Sequence, residues 1–475
     1  MRTFLSEADY SLDHMLQTLG MSKLPSPRIR NKPMLIELTN EPVPSNILFR
    51  WFYMGMPLEL SAVRGIIPDW FVGLACASKL LFAEGKQLLP NAMLIPLAEH
   101  WIAADTAARF EAAEPDFVLW PNPTTQLLLR MTVRKPSRAT LDLGTGTGVQ
   151  AIKAAMHSEK MIATDLNPRA IEFAKFNARL NGAEEIDFRV GDGFAPIEND
   201  KFDLIVSNPP FFIAPSNRFL FCDNPMDLDQ LCRKLVKDAG AHLHEGGYLQ
   251  MLCEWAEIEG QPWRERISEW FQGTGCDAWV MKCQSRKPIQ YASDRIAEAH
   301  DSCDRVPGLF HEYIAYYRER KVNAIHDGML VMRRRQGNNW VVIEENDRTP
   351  DKPFGDLIVS RFEAQDFLNA HSAPAQMLGI RPRLSPNAQL EQTSRYGEEG
   401  WDNPNLTLRL SRGFPVTIAI QPLVAEFLGQ CDGKRTLGEL AQSMVQALGA
   451  PAEQVETECV GIIRKMIGQS FVGWT

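Results

Sequence analysis

The sequence predicts an α/β fold on a doubly wound parallel sheet, with a mainly helical region before it and a small α+β region after it. Three observations predict this. From about Arg134 short apolar strands alternate with helical stretches, the pattern of βαβ units. A glycine-rich turn, Gly144-Thr145-Gly146-Thr147-Gly148, follows the first of those strands. The chain has 475 residues, 45% apolar and 23% charged, enough for about three globular domains. Their expected bounds are 1–115, 116–347 and 348–475.

In the first region, 66–82 and 93–110 carry apolar residues at helical spacing around a Gly85-Lys86-Gln87 turn. Such a pair fits a helical lid or packing domain, or else a winged helix, which would suggest nucleic-acid contact. Few clustered Lys or Arg favour the first. In the second region, 139–143, 161–164, 186–190 and 202–206 are expected strands, with 248–253 a fifth. Segments 277–283 and 328–333 supply the last two, with the helix 310–320 between them and 338–345 extending the final hairpin. In the third region, 406–410 and 416–420 form a hairpin around Ser411-Arg412-Gly413. Helices follow at 436–448, with Thr436 and Glu439 as a capping box, and at 453–467, an order that also fits a winged-helix-like module.

Composition narrows the function. The net charge of −9 means that any nucleic-acid affinity must come from a local basic surface. Nine scattered cysteines (Cys76, Cys222, Cys232, Cys253, Cys276, Cys283, Cys303, Cys431, Cys459) without a C-x-x-C pair argue against a disulfide scaffold or a thiolate zinc site. His242 and His244 read as a surface pair rather than metal ligands, so no metal is expected. Arg333-Arg334-Arg335 reads as a solvated strand end. The N-terminus carries acids where a secretory signal needs an apolar stretch, and no run of 18 apolar residues exists. Cytoplasm is the expected location, with no membrane contact.

Four motifs carry the chemistry. Asp142 precedes the glycine turn Gly144, Thr145, Gly146 and Gly148, which lets backbone approach a ligand at a helix N-terminus. Its G-x-G-x-G spacing differs from the G-x-G-x-x-G of dinucleotide enzymes. Asp165, followed by Leu166, ends the next strand, where a carboxylate can accept from ribose hydroxyls. Asp192 and Gly193 lie on the same rim, where the carboxylate can accept from an adenine amino group. The strand 204–207 then runs into Asn208-Pro209-Pro210-Phe211. Two prolines stiffen that turn, so that the Asn208 side-chain oxygen and the Pro209 carbonyl can receive the two protons of a planar NH2 group. Phe211 offers a flat face for stacking.

Together these residues resemble a class I S-adenosylmethionine-dependent methyltransferase of the group that methylates planar nitrogen. Asp165 to Gly182, Asp-Leu-Asn-Pro-Arg-Ala-Ile-Glu-Phe-Ala-Lys-Phe-Asn-Ala-Arg-Leu-Asn-Gly, is also typical of that group. Upstream, Val118-Leu119-Trp120-Pro121-Asn122-Pro123-Thr124-Thr125-Gln126-Leu127-Leu128-Leu129 is similar to the V-L-x-P-x-P-x-T-x-x-L-L stretch of HemK-type release-factor glutamine methyltransferases. The resemblance covers about residues 117 to 255. It implies a Rossmann-like seven-stranded sheet, S-adenosylmethionine as cofactor, and Pro121, Thr124, Phe211 and Phe212 at the substrate. The family usually has Tyr at the place of Phe211 and an acid at that of Thr124. Related ribosomal-RNA guanine methyltransferases also carry Phe at the aromatic position.

The expected activity is therefore methyl transfer to a planar nitrogen, with Asn208, Pro209, Pro210 and Phe211 catalytic. The substrate expected is a protein glutamine amide in a translation factor. The alternative is an exocyclic base amino group of ribosomal or transfer RNA, flipped into the cleft. A non-catalytic cofactor-binding adaptor is the third reading, and the intact Asn208–Phe211 run argues against it.

Overall fold

The computed structural model describes residues 1–25, 32–215, 220–299, 306–346, 348–397, 400–402 and 405–475. Cys303 lies outside them. Two compact units form, one from 1–129 and 135–345, the other from 130–134 and 346–475.

The N-terminal part of the first unit holds β1 (Leu58–Glu59), β2 (Leu81–Glu84) and β3 (Gln87–Pro90) in a small antiparallel sheet, order β1-β3-β2. Helix α1 (Asp69–Ala77) precedes β2. The segment 93–110 is not one helix, and only its end, in Ala107–Glu111, is helical. Met93–Leu97 (β4) and His100–Ala104 (β5) form a hairpin, with Pro96 opposite Trp101 and Ala98 at φ 51° in the turn. Pro96 has no amide proton and would break a helix interior, whereas the edge of a two-stranded hairpin tolerates it.

That hairpin is tied to the domain that follows. Helix α2 (Pro123–Met131) leads to β6 (Ser137–Leu143), α3 (Val149–Ala155), β7 (Ser158–Asp165), α4 (Pro168–Asn181), β8 (Asp187–Val190) and β9 (Phe202–Ser207). Asn177 of α4 accepts from the Ala103 N–H (2.7 Å) and donates to the Ala103 carbonyl (2.9 Å) and the Thr147 carbonyl (2.8 Å). Asn181 does the same for Trp101, at 3.1 and 2.8 Å. Two asparagines one helical turn apart thus replace a neighbouring strand for β5.

Helix α5 (Gln230–Ala239), β10 (Leu243–Ile258), β11 (Cys276–Arg286), α6 (Pro288–Ala299), α7 (Val306–Glu319), β12 (Val322–Arg334) and β13 (Val341–Glu345) complete the unit. The sheet runs β13-β11-β12-β10-β9-β6-β7-β8. All seven expected strands are present. The segment expected to extend the final hairpin instead pairs parallel with β11, Ala278 opposite Val341, as an eighth strand. The chain winds outward through β6, β7 and β8, then returns to place β9 on the other side of β6. The crevice beyond the carboxyl ends of those strands is where such sheets bind ligands.

The arginine run is not a solvated strand end. Arg333 and Arg335 bond the fully buried Asp277 at 2.7 and 2.6 Å, and Arg334 donates to the Thr274 carbonyl at 2.6 Å. An aspartate on β11 with no access to water needs such partners, which draws the arginines inward. His242 stacks on Phe194 with ring centroids 4.6 Å apart. Among the described residues no group of three or more metal-ligating side chains exists, and no helix is long and apolar enough to cross a membrane.

In the second unit, strands Asn405–Leu410 and Thr417–Ile420 form the expected antiparallel pair, Leu406 opposite Ile420. Thr436 and Glu439 close the capping box of the helix Leu437–Leu448, and the helix Ala452–Gly468 follows. Helix Gly355–Ala370, unforeseen from the sequence, contributes Ala364 to the same core.

Candidate active site

At the carboxyl ends of β6 to β9 lies a cavity of about 390 Å³. Strand ends and turns build one side of it. After β6 the chain passes through Gly144 (φ 76°) and Gly146 (φ 54°), conformations that side chains with a Cβ rarely adopt. Asp142, buried at the end of β6, accepts from the Thr145 hydroxyl (2.6 Å) and the Ala151 N–H (3.0 Å), pinning the turn to the start of α3. Burial pushes its carboxyl up to about 7. Asp165 at the end of β7 accepts from the Gly146 N–H and the Asn167 N–H, both at 2.8 Å. Burial raises its pKa against those two bonds. Each Asp165 oxygen keeps a further lone pair for a ligand.

Asp142, Gly144, Thr145, Gly146, Asp165, Leu166, Asp192, Gly193, Asn208, Pro209 and Pro210 all line the cavity. Gly148, Pro121, Thr124, Phe211 and Phe212 do not. Gly148 has a packing role: a Cβ there would sit 3.0 Å from that of Ala174, so α3 and α4 require the glycine. Phe211 packs against the apolar core of the sheet. Phe212 lies beneath the Arg295 guanidinium, 4.0 Å from its ring centroid. The chain turns there because Asn224 Nδ2 donates to the Pro210 carbonyl (2.9 Å) and the Phe212 N–H to the Cys222 carbonyl (3.1 Å).

The aromatic faces that do border the cavity belong to Phe117, Trp120 and Phe221. Trp120 falls inside the motif singled out from sequence. Leu220, Phe221, Asp223, Asn224, Pro225 and Met226 line the same cavity from a stretch without helix or strand, where no periodicity could have drawn attention. Gln150 was also missed; its Nε2 donates to the Thr125 carbonyl at 2.9 Å, joining α3 to the start of α2.

At the corner itself, Asn208 Nδ2 donates to Thr124 Oγ1 at 3.3 Å. Asn208 Oδ1 is buried with no hydrogen-bond partner. A buried acceptor without a donor is costly unless a ligand supplies one, so this atom marks where an N–H belongs. The described residues lining the cavity include Asp142, Asp165, Asp192 and Asp223, and no Lys, Arg or His.

Comparison with known proteins places the sequence of this region among methyltransferases. Residues 121–272 match the family model of the methyltransferase small domain, and residues 360–472 match a domain of unknown function. The release factor glutamine methyltransferase of Cereibacter sphaeroides is 36% identical over 226 residues, covering 38% of this chain and 79% of that protein. That of Aliivibrio fischeri is 41% identical over 99 residues, 20% of this chain and 35% of that protein. That of Xylella fastidiosa strain 9a5c is 31% identical over 154 residues, 29% and 56%. The chain thus spans about a third of the A. fischeri enzyme, over half of the X. fastidiosa enzyme and most of the C. sphaeroides enzyme. The fold is that of a class I S-adenosylmethionine-dependent methyltransferase. Within that class, the chain belongs to the HemK-type family of release factor glutamine methyltransferases. The class uses S-adenosylmethionine, and the residues present fit it: a glycine turn without side chains to block the cavity, an Asp165 with spare lone pairs, and Asp192 on the rim.

Proposed function

We propose that this protein methylates the side-chain amide nitrogen of a glutamine in a protein substrate, a translation factor, with Asn208 and Pro209 holding the amide. The observation that carries the reading is the unpartnered Asn208 Oδ1 inside a cavity whose described lining bears carboxylates and no cation. When bound, S-adenosylmethionine supplies an electrophilic methyl group. The task of the chain is to make a poor nucleophile attack. An amide nitrogen's lone pair is delocalised into its carbonyl. Accepting one N–H at Asn208 Oδ1 and the other at the Pro209 carbonyl favours a pyramidal nitrogen and stabilises positive charge growing on it. No described residue donates to that carbonyl. Fixed acceptors of this kind contribute roughly 3 kcal/mol each. Asp165 and Asp192 hold the ribose and adenine portions. Pro210 and Trp120 exclude water beside the amide.

A nucleobase amino group would present the same two protons, but its phosphates need cations. Helix α1, DWFVGLACA, stands where the recognition helix of a winged helix would, before the β2–β3 hairpin, and carries no Lys or Arg. We read residues 1–115 as a winged-helix-like region suited to protein rather than phosphate contact. The test is tritiated S-adenosylmethionine added to a lysate from a deletion strain. Label that protease removes and RNase leaves supports the reading; RNase-sensitive label overturns it.

A further inference from the structure

We infer that Thr124 is a positioning residue for Asn208, and that it works through the direction of a single hydroxyl proton. The inference rests on the reading of Asn208 as the acceptor for the target N–H. Asn122 caps α2: its Oδ1 accepts from the Thr125 N–H (2.9 Å), the Thr125 hydroxyl (3.0 Å) and the Thr124 hydroxyl (2.7 Å). A threonine hydroxyl has one proton, and here it is committed to Asn122. Toward Asn208, 3.3 Å away, Thr124 Oγ1 can therefore only accept. An acceptor at that place attracts the NH2 end of the Asn208 amide and repels its oxygen, so Oδ1 turns the other way, where nothing in the protein satisfies it. Rotating the amide by half a turn would set oxygen against oxygen and offer the target a second donor in place of an acceptor. Thr124 does not line the cavity, so it acts on the substrate only through Asn208.

The arrangement explains how a hydroxyl can serve at this place as a fixed acceptor. A carboxylate accepts by charge alone, whereas a hydroxyl needs its proton drawn elsewhere, which is the work of Asn122. Two variants then behave in opposite ways. Thr124→Val removes the acceptor. Asn122→Ala leaves the hydroxyl but frees its proton to donate to Asn208 Oδ1, blocking the atom the substrate needs.

The experiment has two readouts. The first is the side-chain 15NH2 signal of Asn208, assigned by its loss in Asn208→Asp and followed without any substrate. Thr124→Val should move it and speed its exchange at least fivefold, while Thr124→Ser should keep it near its original position. The second is tritium transfer into the protein fraction of the deletion-strain lysate. Thr124→Val should lower kcat tenfold or more with cofactor Kd within twofold, and Thr124→Ser should recover most of it. Thr124→Asp, an acceptor by charge, should recover more activity than Thr124→Val. Equal effects of Val and Ser, on signal or rate, would overturn the positioning role. Label entering RNA instead would overturn the substrate reading, while the amide signal would still decide whether Thr124 orients Asn208.

Discussion

The two ends of the cavity are made in different ways. The end that we assign to the cofactor is built from strand termini and their turns: Asp142 and the glycines after β6, Asp165 after β7, Asp192 after β8. Asp142 and Asp165 stand at strand ends, and their carboxylates bond the turns and helix starts that follow. The end that we assign to the target is built from Phe117 to Trp120 and Leu220 to Met226, which lie outside helices and strands. Its order comes from side-chain bonds such as Asn224 to the Pro210 carbonyl. Rigid backbone suits a ligand that is always the same, while loops allow the target to differ among proteins that share the chemistry. Asn208 stands between, as the first residue beyond β9.

This division makes predictions of decreasing size. Asn208→Ala should lower methyl transfer by about 100-fold or more while leaving cofactor affinity nearly unchanged, measured by tritium transfer and calorimetry. Equal losses in both would mean that the corner belongs to the cofactor end. Asp165→Ala should weaken cofactor binding about tenfold or more, with loss also of its ties to Gly146 and Asn167. Unchanged affinity would remove the ribose assignment.

A third prediction concerns pH. Burial holds the Asp142 carboxyl near 7 in the folded protein against 3.8 for a free side chain, so the native state keeps a proton that the unfolded chain has shed. Glu254, buried beside Tyr291 and Arg286, is pushed up to about 7 as well. The stability these two carboxyls contribute should be fullest below about pH 4, fall as pH rises to 7, and level off above. Asp142→Asn should flatten part of that slope in urea midpoints measured at pH 5 and 7.5. The smallest effect is expected at the target end. Met226→Ala should raise KM for the protein substrate about fivefold, from roughly 1 kcal/mol of apolar contact, without touching cofactor Kd.

The same contrast decides what the sequence revealed. Strand termini announce themselves, because a run such as Leu204 to Ser207 ends at a proline pair and a glycine turn has few other uses. The seven strands and the lining residues Asp142 to Gly146, Asp165, Asp192 and Asn208 were legible for that reason. Met93 to Leu97 was not. Both faces of that strand are buried, so its apolar run has no period of two and imitates a helix, and Pro96 was the only contrary sign. The orientation of Phe211 was hidden too, because it depends on Asn224 and Cys222, ten or more residues away. Arg333 and Arg335 turned inward for Asp277, a partner 56 and 58 residues distant.

The two asparagines of α4 have a dynamic consequence. Asn177 grips Ala103 on one side and the Thr147 carbonyl of the glycine turn on the other. The amide protons of Trp101 and Ala103 therefore exchange with solvent only when α4 lets go, and anything that stills the glycine turn slows them. Two positions in the N-terminal hairpin thus act as clocks for the floor of the cavity, readable by deuterium uptake without any assay of turnover.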